Sequence, residues 1–200
     1  MKTNNLTSLI KFFLRIQWTK ELPRQGFVTL GFKRNEADSV AAHSFATAIL
    51  AYELAILHNK ENKKPRVDEN KVLKMALFHD LAETIVGDVG SFVKYLEKGK
   101  FRDIEDKGME ILVEDLVNKE EILSLYKEYS ERKSLEARFA KAADHIDAIA
   151  QIQGVPAAKH ELEKKTHDIL KITRFPWHQK AITLITSGKI KGIGEIKDQK

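Results

Sequence analysis

The stretch ALFHDLAETIVGD, from Ala76 to Asp88, sets His79, Asp80, Glu83 and Asp88 among apolar residues that read as the end of a buried helix. Imidazole nitrogens and carboxylate oxygens are metal ligands, and a carboxylate beside them can take a proton from water. Buried carboxylates without partners are costly, so something must compensate them. The chain has no cysteine, which excludes disulfides and thiolate sites and leaves His, Asp and Glu as the strong ligands. Plainer readings compete. A single buried histidine is more often a hydrogen-bonded core residue, and a lone helical aspartate is more often paired with Lys or Arg. The His-Asp dipeptide is also weak alone, because His167 and Asp168 repeat it in ELEKKTHDILKITR, whose charged surroundings mark a surface pair.

The elements that must position these residues are helical. No run alternates apolar and polar residues between hairpin turn signals, so the reading is an all-α, single-domain helical bundle. A chain of 200 residues, 42% of them hydrophobic, is long enough for a sizeable core. Periodicity predicts helices over residues 7–18, 39–59, 68–85, 101–117, 120–130, 134–153, 156–172 and 176–187. At 100° per residue, His79 and Glu83 share the buried face of the third helix with Val72, Met75 and Ala76, and Asp80 lies one step round. On the 134–153 helix, Leu135, Phe139, Ala142, Ile146 and Ile149 form one apolar stripe. Asp144 lies opposite, among Ala137, Ala140 and Ala148, so that helix reads as apolar nearly all round. The helix over 39–59 begins almost wholly apolar, which turns His43 inward. Three helices thus each direct an ionisable group to the interior.

Residues 21–39 are the longest irregular stretch, with two glycines and three basic residues, and long loops of this kind are often functional. Residues 58–70 read as a solvated connection, and the Gly- and Lys-rich residues 188–200 as a frayed tail. The formal charge of +5 and a sequence pI near 9.2 favour phosphorylated ligands but are too diffuse to indicate a stable nucleic-acid complex. No segment reads as about 18 consecutive apolar residues, so the expectation is a cytoplasmic protein without membrane contact.

His43, the pair His79 and Asp80, and Asp144 stand in the order H…HD…D, and with them the sequence resembles the HD-domain metal-dependent phosphohydrolases. HDLAETIVGD, with PRQGF, DSVAAHS and SLEARFAKAADHIDAI, is similar to the 5′-deoxynucleotidase subgroup. The resemblance covers about residues 21–153, the core of an HD domain expected over residues 1–187. It implies that His43, His79, Asp80 and Asp144 bind one divalent metal; a mixed N/O set suits Mn, Co, Fe, Ni or Zn better than Mg. Glu83 is then the group that orients or deprotonates water, and Asp88 assists in water positioning or leaving-group protonation. A cation from the loop before His43 would neutralise phosphate: Arg24 first, with Arg34 and Lys33 behind it. The loop departs from the family, with Gly26-Phe27 where a Trp usually stands and Asp38 where Glu is usual. Glu83 is followed by Thr84, unlike the adjacent Glu-Asp of alarmone hydrolases, and dNTP triphosphohydrolases are usually much longer.

The implied reaction is hydrolysis of deoxyribonucleoside 5′-monophosphates to deoxynucleoside and phosphate, by a homo-oligomer, expected to be a dimer. Two alternatives remain: a metal- and nucleotide-binding regulatory or partner-binding module without turnover, and an HD phosphohydrolase for another nucleotide. The presence of both Glu83 and Asp88 favours an enzyme, because neither is needed merely to hold a metal.

Overall fold

The computed structural model describes residues 3–90, 94, 96, 98–152 and 156–189. Its helices are α1 (Thr3–Ile16), α2 (Gln25–Thr29), α3 (Val40–Lys60), α4 (Glu69–Phe78), α5 (Glu83–Val86), α6 (Lys98–Val113), α7 (Lys119–Glu131), α8 (Leu135–Gln151), α9 (Pro156–Thr173) and α10 (Pro176–Thr186), with a 3₁₀ turn over Gln17–Lys20. Among the described residues there is no strand, only an isolated bridge between Pro23 and Ser39. The fold is all-α, as the periodicity predicts. Most of the tail, residues 190–200, lies outside the described residues.

The three helices that position the site start from side-chain caps. Ser39 accepts a hydrogen bond from the Ala42 amide at 3.2 Å, Asp68 from Lys71 at 2.9 Å and Ser134 from Ala137 at 3.1 Å. α3, α4 and α8 then pack on one another around Ala48, Ala51, Val72, Met75, Phe139 and Ala143. Alanines on the facing sides let the helix axes approach, and this close packing brings their polar residues within reach of each other.

By length and composition α3, 21 residues long, could cross a membrane, which departs from the sequence expectation. Its inner side carries His43, Ser44 and Thr47 and is packed against α4 and α8, so it is the central helix of the core. The connection between α3 and α4 is also less solvated than expected. Val67 is buried, and the Asn59 side chain donates to its carbonyl at 2.8 Å and accepts from its amide at 3.1 Å.

The predicted continuous helix over residues 68–85 is broken. α4 ends at Phe78, and the amides of Leu81, Glu83 and Thr84 bond back three residues, to Phe78, Asp80 and Leu81. These tighter turns rotate the chain relative to an α-helix before α5 begins. α5 ends at Gly87, whose φ of +77° suits glycine and turns the chain so that Asp88 lines the cleft. α6 reaches α5 through Gly108, where an added Cβ would stand 2.9 Å from the Val86 Cγ1 atom. A larger residue there would push α6 off the element that carries Glu83.

Candidate metal centre

Donor atoms from three regions of the bundle gather around His43 Nε2: His43, His79 and Asp80 offer donors within 4.8 Å of one another, and Asp144 approaches through His43. His43 Nε2, from α3, lies 3.3 Å from His79 Nε2, 3.6 Å from Asp80 Oδ2 and 3.4 Å from Asp144 Oδ1, and His79 Nε2 lies 3.1 Å from Asp80 Oδ2. Ligands on one ion at about 2.1 Å stand about 3.0 Å apart at right angles and about 3.4 Å apart at the tetrahedral angle. Three of the four spacings fall in that range, and the 3.6 Å between His43 and Asp80 lies just above it.

The tautomers point the same way. His79 Nδ1 donates to the Ala76 carbonyl at 2.7 Å, and a carbonyl can only accept. His43 Nδ1 donates to Asp147 Oδ2 at 2.6 Å. With each Nδ1 engaged, the two Nε2 atoms face each other beside the carboxylates of Asp80 and Asp144, a grouping that a proton or a metal cation satisfies. Burial alone would lower the His43 pKa, but hydrogen bonds to Asp144 and Asp147 outweigh it and hold it at about 9. The site gathers positive charge at Nε2, as a proton or as a metal ion, and the donor set fits a divalent metal.

Asp144 is held from its far side. Its Oδ2 accepts from the Tyr129 hydroxyl and from Lys141 Nζ, each at 2.6 Å, leaving Oδ1 toward His43. Burial would raise its pKa, but Lys141 and then His43 hold it well below the usual carboxylate range. Asp80 is likewise held low by His79 against its burial. Glu83 behaves oppositely: burial first, then the charges of Asp80 and Asp88, push it up to about 10. Asp88 is raised by burial and by Asp80. Without a cation this corner holds more negative charge than its surroundings support, and Lys94, 3.7 Å from Glu83, answers only part of it while also bonding Glu105 at 2.7 Å.

These residues line a cleft of about 300 Å³ whose wall includes Arg24, Asp80, Glu83, Asp88, Lys141 and Asp144. Of the three basic residues considered for phosphate, Arg24 lies in the cleft. Lys33 and Arg34 are exposed outside it, and Lys33 pairs with Glu36 at 3.0 Å. His167 and Asp168 are exposed on α9. Sequence reasoning missed Asp147, Lys141, Tyr129 and His145. Asp147 and Lys141 each lie three residues from Asp144, on its side of α8, so helical spacing carried their signal. His145 lines the cleft and sits 3.1 Å from His178, which receives no local sequence signal.

The model of the HD domain family matches residues 16–181. The chain belongs to the HD-domain family. It is 31% identical to the human 5′-deoxynucleotidase HDDC2 over 157 residues, spanning 77% of this chain and 71% of that one. It is 29% identical to the 5′-deoxynucleotidase hdd1 of Schizosaccharomyces pombe, over 88% of this chain and 82% of the relative. Among solved structures, the PH0347 protein of Pyrococcus horikoshii OT3 superposes with a TM-score of 0.74 at 30% identity, covering 90% of this chain and 99% of that one. His79 and Asp80 stand at the break between α4 and α5, within the residues matched.

Proposed function

We propose that this HD-domain protein is a metal-dependent 5′-deoxynucleotidase, with His43, His79, Asp80 and Asp144 as the metal ligands. The observation that carries the reading is the pair of Nε2 atoms facing each other across 3.3 Å beside two carboxylates, beside an arginine-bearing cleft, in a chain whose relatives are 5′-deoxynucleotidases. The mixed N/O set suits Mn, Co, Fe, Ni or Zn above Mg. When bound, such an ion supplies Lewis acidity that lowers the pKa of water and polarises a phosphoryl oxygen.

The chain's own residues do the rest. Arg24 offers a half-buried guanidinium to the phosphate, a planar fork suited to its oxygens. Glu83, buried at the cleft wall, accepts the proton of the attacking water as the new P–O bond forms. The P–O5′ bond breaks on the opposite side of phosphorus, and Asp88, whose pKa burial and the charge of Asp80 raise, supplies the proton to O5′. Products are a deoxynucleoside and phosphate. The cleft's basic residues gather around a space of nucleotide size, which supports a small nucleotide as partner over a nucleic acid. A cytoplasmic location accords with such a substrate.

The test is phosphate release from a panel of deoxyribo- and ribonucleoside monophosphates with Mn or Co added. Deoxyribonucleoside 5′-monophosphates are expected to be cleaved faster than ribo forms, with little base preference and little activity on 3′-monophosphates. Equal kcat/KM for AMP and dAMP contradicts the sugar preference. No release by protein shown to carry metal would favour a binding module instead.

A dimer is part of the proposal, and an apolar face supports it. On α1, Leu6, Leu9, Ile10, Phe13 and Leu14 are 41–63% exposed on one stripe, while Phe12 and Ile16 pack inward. Trp18, in the 3₁₀ turn that packs on α3, and Phe45 and Ile49 of α3 are 49–64% exposed. Eight exposed large apolar side chains on this face make a patch of the kind that marks a protein–protein contact. Phe13→Glu with Leu9→Glu is expected to shift the mass measured by light scattering from dimer to monomer. An unchanged mass places the interface elsewhere.

A further inference from the structure

We propose that Asp147 is a positioning residue that ties the metal ligand His43 to the phosphate-facing Arg24, while Asp38 acts chiefly on Arg24 and makes no hydrogen bond to His43. The proposal rests on the reading of His43 as a ligand and extends it to residues outside the H…HD…D set.

The geometry separates the two carboxylates. Asp147 Oδ2 accepts from His43 Nδ1 at 2.6 Å and stands 3.8 Å from Arg24 Nη1. Asp38 Oδ2 stands 4.0 Å from the same Arg24 nitrogen. A hydrogen bond of 2.6 Å from a ring nitrogen to a carboxylate requires the proton on Nδ1, and this leaves the Nε2 lone pair toward Asp144 and His79. Arg24 Nη1 lies 3.0 Å from that same Nδ1. Because the Nδ1 lone pair is already taken by its proton, this approach is a contact, and Arg24 answers the carboxylates by charge.

At 3.8 and 4.0 Å the guanidinium is within ion-pair range of both carboxylates but beyond hydrogen-bond length to either. Its position is set by charge, and neither carboxylate takes a hydrogen bond from Nη1. Asp38 Oδ1 is buried with no hydrogen-bond partner, so Asp38 acts through its charge, on Arg24 first and on His43 second, and through its backbone. That backbone closes the loop, with the Arg24 amide bonding the Asp38 carbonyl at 3.0 Å and the Val40 amide the Leu22 carbonyl at 2.9 Å. Asp38, His43 and Asp147 are spaced as a second metal-capable group, but the guanidinium already supplies the cation there.

The test needs no turnover, so it stays separate from the nucleotidase reading. Wild type, Asp147→Asn and Asp38→Asn are stripped of metal, titrated with Co(II), then reloaded and titrated with inorganic phosphate by calorimetry. Asp147→Asn is expected to weaken Co(II) binding by about 10- to 100-fold, the scale of losing a partner behind a ligating histidine, and to weaken phosphate binding as well. Asp38→Asn is expected to bind Co(II) as wild type does and to weaken phosphate by about tenfold, the scale of one charge-assisted contact. Co(II) affinity in Asp147→Asn within twofold of wild type, or equal metal loss in both variants, overturns the proposal. A His43→Ala variant that keeps its Co(II) affinity refutes the ligand reading instead. Should Asp147→Asn fail to fold, the ¹⁵N imidazole spectrum of zinc-loaded wild type decides: His43 protonated at Nδ1 supports the assignment, and protonated at Nε2 it overturns it.

Discussion

Glu83→Gln loses turnover by about 10² to 10⁴, or on the order of 3 to 5 kcal/mol of barrier, and keeps its metal. Glu83 is buried, and its carboxylate is not among the donors gathered around His43 Nε2. Gln preserves the shape and removes the oxygen that takes the proton. Burial and the charges of Asp80 and Asp88 hold the Glu83 carboxyl up to about 10, so in their field it keeps its proton, and a cation on Asp80 relieves one of the charges responsible. The measurement is kcat and metal content on one preparation. Full activity in the variant shows that Glu83 is not the base. Loss of metal shows that it is a ligand, which leaves Asp88 as the group that activates water.

His79→Ala or Asp144→Ala abolishes tight metal binding, whereas His167→Ala does not. His79 contributes a lone pair whose direction is fixed by the Ala76 carbonyl, and Asp144 an oxygen whose partner atom is held by Tyr129 and Lys141. Removing either leaves the remaining carboxylates short of counter-charge, and the loss of a bound ion also removes its contribution to the folded state. Metal-loaded wild type is therefore expected to melt at a higher temperature than either variant. His167 is exposed on α9, so His167→Ala binds metal and melts like wild type. Equal metal loss in all three variants sinks the ligand assignment.

The apolar period by itself determined that the chain is helical and that α3, α4 and α8 turn His43, His79 and Asp144 inward, because a side chain's direction on a helix follows from its 100° step. It also separated the buried His79 and half-buried Asp80 from the exposed His167-Asp168, since the surroundings of each pair are local. The break after Phe78 was not legible: residues 68–85 keep an unbroken helical pattern, and three-residue turns there leave no separate mark on it. Nor could periodicity choose Arg24 over Lys33 and Arg34, which share one loop and one chemistry. That choice comes from the closure of the loop on Ser39 and Val40 and from Asp38 and Asp147 around the guanidinium. Asp147 meets His43 across 104 residues of chain, a contact made by the packing of α3 on α8, so its partner is decided by tertiary structure and by no spacing within either helix.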